Sequence, residues 1–179
     1  MRKNEKGVIT LEACIVVPFF IFLMLFVYGF IVMFMGRQAM SHALLQSAKS
    51  LSLEAYAIDN LDGGGGKNIK QVFTELSITD DEHFASTAKW FSDDKAQLQS
   101  IVEDRFIGYL GGTQSQAEAQ LELFGVKDGW NGMDFSATTV ENGVLTIHVK
   151  YQQEFIYDFN GLLAFDRELS VKMKLWGCN

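Results

Sequence analysis

Hydrophobic and polar positions divide the chain into three stretches of different period. The first, Ala13 to Met35, has none: Ile, Val, Leu, Phe and Met follow one another without a charge, and only Pro18, Tyr28 and Gly29 interrupt them. Polar residues then return at helical spacing. Met40, Leu44, Ala48, Leu51 and Ala55 recur at steps of three and four, with no breaker before Gly63, so the helix is expected to continue to that point. Apolar run and extension together predict one helix of roughly fifty residues, about 75 Å long, whose outer part projects as a stalk.

Gly63–Gly66 predicts a loop or hinge, and short amphipathic helices are expected after it. Ile69, Val72, Phe73 and Leu76 make one apolar stripe, and Thr79-x-x-Glu82 reads as a capping box ahead of Phe84, Ala88 and Phe91. Leu98, Ile101, Val102 and Phe106 line a further helix that Gly111-Gly112 ends. Thr113-x-x-Gln116 caps another, with Ala117, Leu121 and Phe124 inward and Gly125 as its stop.

The period then changes to two. Met133, Phe135 and Ala137 alternate with polar residues up to Asn142-Gly143, a hairpin signal. Leu145, Ile147, Val149, Tyr151, Phe155, Tyr157 and Phe159 share one face, opposite Thr146, His148, Lys150, Gln152 and Glu154. After a second turn at Asn160-Gly161, Leu163, Phe165, Leu169, Val171, Met173 and Leu175 form a third strand. The fold class is therefore α+β: a long N-terminal transmembrane helix extending into a stalk, then short helices, then an antiparallel three-stranded meander with one wet face.

The membrane assignment rests on length. The 23 residues from Ala13 to Met35 make a helix of about 34 Å, against a hydrocarbon core of about 30 Å. A cleavable secretory signal has a shorter apolar region and an A-x-A-like site, which Met35-Gly36-Arg37 is not. Leu11-Glu12-Ala13-Cys14 has the look of a lipobox, but there the apolar stretch precedes the Cys, and here it follows. Arg2, Lys3 and Lys6 lie before the run and Arg37 alone directly after it. The positive-inside rule thus keeps the N-terminus cytoplasmic and places the remainder outside.

Charge follows the same division. The net charge is -7; residues 1–37 carry +2 of it and the remainder -9. An acidic outer part lacks the clustered Lys and Arg that phosphate binding requires, so nucleic acid is not an expected partner. The hydrophobic fraction of 48% excludes intrinsic disorder, and two Cys exclude a disulfide-stapled mini-protein.

Glu12 is the charge out of place. It sits just inside the apolar run, where an ionised carboxylate is costly. Snorkelling to the interface is one way to accommodate it. The other is a cation: were the chain cut between Gly7 and Val8, the new amine of Val8 would stand four residues before Glu12, one helical turn away. An amine of a neighbouring subunit would serve equally. Pro18 cannot donate to the Cys14 carbonyl and crowds that turn, so a kink or loosened turn is expected there.

The segment Lys6-Gly7-Val8-Ile9-Thr10-Leu11-Glu12-Ala13, followed by Cys14-Ile15-Val16-Val17-Pro18, resembles the start of type IV pilin-like proteins. It is most similar to the TadE-like pseudopilins of tight-adherence (Tad/Flp) pilus systems. The resemblance covers residues 6–35. It implies a leader that ends at Gly7, a prepilin peptidase that cuts after it, Val8 as the mature N-terminus and Glu12 as the fifth mature residue. Ala13 stands where major Flp pilins usually have Tyr, and the outer part is far larger than theirs, which points to a minor component. The implied organisation is a basic cytoplasmic leader at 1–7, a transmembrane helix at 8–36, a helical stalk at 37–62 and an extracytoplasmic α+β domain at 63–179. Membrane lipid, other pilin-like subunits, Tad assembly proteins and a prepilin peptidase are the implied partners.

The residues offer no enzyme. His42, His83 and His148 are dispersed and no two have metal-ligand spacing. Asp80-Asp81-Glu82 beside His83 suits a helix start, where carboxylates are favoured, and no Ser stands in a nucleophile elbow. Trp90-Phe91 fits burial better than docking. Cys14 lies in the apolar run and Cys178 at the far end, so they do not pair within one subunit. No cofactor or metal is expected. Two functions follow: a membrane-anchored pilin-like assembly component, in which Phe19, Phe22, Phe26, Phe30 and Phe34 face other helices or lipid, or a single-pass anchored extracytoplasmic binding or sensor domain.

Overall fold

The computed structural model describes residues 5–62, 95–157 and 163–175, and over these the chain is α+β. Helix α1 is one unbroken element, Glu5–Asp62, of 58 residues, about 87 Å at 1.5 Å per residue. It takes in both the apolar run and the amphipathic extension, continues through Pro18, and ends immediately before Gly63. Helix α2 (Lys95–Leu110), helix α3 (Gln114–Leu123), a short 3-10 turn (Gly129–Gly132) and strands β1 (Thr139–Glu141), β2 (Val144–Glu154) and β3 (Ala164–Lys174) follow. The helices expected over Ile69–Leu76 and Thr79–Phe91 and the turns at Gly63–Gly66 and Asn160-Gly161 lie outside the described residues.

Helix α2 stops, and α3 starts and stops, where the sequence signals stand. The Gln116 amide donates to Thr113 Oγ1 at 3.4 Å, so Thr113 caps α3. Backbone bonds from Gly112 to Ile107 and from Gly125 to Glu122 close the ends of α2 and α3. In the sheet the order is β1-β2-β3 and both pairings are antiparallel. Asn142 and Gly143, at φ 52° and 70°, make the tight turn between β1 and β2.

One expected strand is much shorter than its alternation suggested. Met133, Phe135 and Ala137 do not lie in β1, which begins only at Thr139. The Ser136 amide donates to Asp134 Oδ1 at 2.9 Å and the Thr138 amide to the Phe135 carbonyl at 3.0 Å. These local bonds curl the chain, leaving a single bridge between Asp134 and Lys150. Phe135 still reaches the core, while Ala137 is exposed. Asp and Ser side chains offered the backbone a turn in place of a ladder.

The core forms around the outer half of α1. Met40, Leu44, Ala48, Leu51 and Ala55 are each 0% exposed. They cluster with Leu98, Val102 and Phe106 of α2, Ala117 and Leu121 of α3, and Leu145, Ile147 and Val149 of β2. Within the helical stalk expected at 37–62, Met40 to Ala55 supply one side of the core of the head. Full burial of each large aliphatic or aromatic side chain is worth about 1.5–3 kcal/mol. Among the buried side chains are two charged ones, Glu54 of α1 and Arg105 of α2, which form an ion pair.

Candidate functional site

Burial along α1 changes at one position. Side chains from Glu12 to Tyr28 are exposed, Phe19 to 70%. Gly29, Val32, Met33 and Gly36 are buried, and Met40 continues their line. The spacing of three and four carries the buried stripe of the head about two turns back into the apolar run. Nothing in the hydropathy pattern marks this, because both faces of the helix are apolar there.

The two glycines let the head approach. Phe155, just past the end of β2, stands over Gly29 so closely that a Cβ on Gly29 would collide with the far edge of its ring. Its centroid lies 5.3 Å from that of Phe26 and 5.5 Å from that of Phe30. Seven residues further along the same face, a Cβ on Gly36 would come within 2.6 Å of the Phe124 Cβ. Between these contacts Gln153, 1% exposed, donates to the carbonyls of Met33 at 3.3 Å and Phe124 at 2.9 Å. Sequence reasoning passed over Gln153, a polar residue on the apolar face of β2. The single polar gap in that face was the available signal.

At the other end of the sheet, Ser52 Oγ donates to the Lys174 carbonyl at 2.7 Å. From Gly29 to Ser52 the helix rises about 35 Å. Strands β2 and β3 are 11 residues each, about 36 Å at 3.3 Å per residue and twice the usual length. The long hairpin therefore lies along α1, with the β2 C-terminal end at Gly29 and the β3 C-terminal end at Ser52.

Below the head the side chains of Ala13–Tyr28 are exposed, although Phe26 touches Phe155: 16 residues, or about 24 Å. The helix from Val8 to Tyr28 is about 31 Å long. Gly7 and Val8 both lie within α1, Val8 one turn before Glu12. The Glu12 side chain is exposed, as is the free thiol of Cys14. Cys178, Trp90-Phe91 and the Asp80–His83 group lie outside the described residues. As a whole, α1 is long and apolar enough to cross a membrane, and from Glu12 to Tyr28 its side chains are not buried by the fold.

His42 contacts Gln46 on α1, whereas His148 pairs with Glu168 on the sheet. No cluster of three or more His, Cys, Asp or Glu among the described residues fits a metal ion. An open cleft of about 470 Å³ on the sheet is lined by Asp134, Lys150, Gln152, Asp166 and Glu168, among others. Hydrogen bonds from Ser136 hold the Asp134 carboxyl below its usual range, with Lys150 and His148 adding to the effect. Burial pushes the Tyr151 hydroxyl up, opposed by the positive charges of Arg167 and Arg37. No family model, curated protein or solved structure matches the chain.

Proposed function

We propose that this protein is a membrane-anchored, pilin-like minor component of the TadE-like kind, acting in assembly of a Tad/Flp-type pilus or related secretion apparatus. The observation that carries the reading is the division of α1. One continuous helix has an uncovered apolar half and another half that forms the core of an α+β head. That shape and the Gly7-Val8 to Glu12 spacing both suit a subunit that is held by its N-terminal half and presents its head outside. With the N-terminus cytoplasmic, the uncovered half spans the bilayer. In the assembled state Glu12 meets an amine, either that of Val8 after cleavage or one from a neighbouring subunit.

The test is made in the native host. Copurification of the full chain from membranes is expected to bring down a pilus ATPase, a platform protein or a prepilin peptidase, and intact mass is expected to show a chain beginning at Val8. Glu12→Ala is expected to insert normally and to reduce piliation. Normal piliation with Glu12→Ala and a retained leader would overturn the assembly role.

The second reading, an anchored extracytoplasmic binding or sensor domain, draws on the charged cleft between Asp134, Lys150 and Glu168. It predicts retained membrane insertion with none of those partners.

A further inference from the structure

The uncovered part of α1 is short for its task. If Glu12 remains at the interface, Ala13–Tyr28 supplies about 24 Å of a hydrocarbon core of about 30 Å. The missing length is the turn or more that begins at Gly29, and there the helix is covered by Phe155. If Glu12 is drawn inside, Val8–Tyr28 fills the core and the same residues meet its outer boundary. Both placements bring the end of the β2–β3 hairpin to the lipid.

The described residues flanking the β2–β3 connection include open apolar side chains, beside the exposed Asp166 and the half-exposed Lys127–Glu154 pair. Ile156 is 43% exposed, and Leu163 and Phe165 are similarly open. Leu163 is held beside Phe155 by a backbone bond of 3.1 Å, and Phe165 is the cross-strand partner of Gln153. All three therefore lie at the level where α1 emerges from the head. A cation stands next to one of them. Arg167 lies over the Phe165 ring, 5.3 Å from its centroid, and Arg37 and Arg167 both act on Tyr151. Apolar side chains backed by aromatic and cationic ones are the composition of a membrane interface.

We propose that this end of the head is a lipid seat, in which Ile156, Leu163 and Phe165 enter the boundary between headgroups and acyl chains while Arg37 and Arg167 meet lipid phosphate. It rests on the membrane-anchored reading of α1 and adds to it a fixed depth for the head. The seat makes the bilayer a second support for the domain, so that the head rests on the surface and does not stand off from it.

The test uses the full chain in vesicles of phosphatidylcholine and phosphatidylglycerol, with Cys14→Ala and Cys178→Ser removing the native thiols. Single spin labels are placed through Ile156→Cys and Leu163→Cys. Phe22→Cys reports the acyl region and Lys172→Cys reports water. Labels at 156 and 163 are expected to meet oxygen more than a nickel chelate, at a depth of about 5–10 Å, as an interfacial apolar surface would. Nickel access at 156 and 163 equal to that at 172, with 22 still in lipid, would overturn the seat and leave the anchor standing. Nickel access at 22 would overturn the anchor and the seat together. Spin–spin broadening at 156 would give this rim to a second copy of the chain and likewise overturn the seat.

Discussion

The carboxylate of Glu54 and the guanidinium of Arg105 are paired across the α1–α2 interface, 0% and 3% exposed. Removing either member deprives the other, still buried, of this partner. Arg105→Met or Glu54→Leu alone is expected to cost about 3–5 kcal/mol. The double replacement is expected to recover most of that loss. Denaturant unfolding of the detergent-solubilised chain, followed by circular dichroism, measures all three, and additive single losses would refute the coupling.

Gly29 and Gly36 both admit the head, but what each one faces differs. The obstacle at Gly29 is the far edge of the Phe155 ring, and at Gly36 it is the Phe124 Cβ, which cannot move without its backbone. Gly36→Ala is therefore expected to cost about 1–3 kcal/mol through overpacking. Gly29→Ala is expected to cost less, because the ring can tilt and Ala gains about 1 kcal/mol in helix propensity. Thermal midpoints of the two variants give the order, and Phe155→Leu is expected to relieve Gly29→Ala.

Gln153 donates to two carbonyls, those of Met33 and Phe124. Gln153→Leu leaves the Phe124 carbonyl buried without its bond, a loss of about 1–3 kcal/mol. Gln153→Glu is expected to be worse at neutral pH, because a carboxylate cannot donate and is buried beside two acceptors. Such a group has its folded pKa raised, so the variant is expected to be most stable below the ordinary Glu value and to weaken as pH rises. Midpoint against pH for the two variants tests this, and a flat difference between them would count against the assigned donor role.

Burial raises the Tyr151 hydroxyl above its ordinary value of 10.0, so the folded state prefers the neutral phenol. Its contribution is complete below pH 10 and is lost as pH climbs through the folded value. Wild type is therefore expected to lose stability in that alkaline window, and Tyr151→Phe to lose less. Urea midpoints on both sides of pH 10 are the measurement.

The residues that could be read from sequence are those where pattern and environment agree. Met40 to Ala55 alternate with polar neighbours, so their period declared the buried face, and Asn142-Gly143 carried the turn chemistry that the structure uses. Gly29 and Gly36 could not be read in the same way. Inside a run that is apolar all round, the side facing protein and the side facing solvent or lipid look alike, and only the missing side chains distinguish them. Gln153 and Arg105 were missed for the opposite reason: each is polar, and each is buried because a specific partner elsewhere in the chain satisfies it. Met133–Ala137 misled because alternation says nothing about Asp134 capturing the Ser136 amide.

Since α1 has no joint between Tyr28 and Met40, the head has no swivel. Any tug or torque applied to the bare end of the rod is delivered to the middle of the domain, between α2 and the long hairpin, and not to a tether at its edge. The rod and the head must tilt, turn and travel as one rigid lever, and a load great enough to draw the rod out would have to shear the whole core along its length.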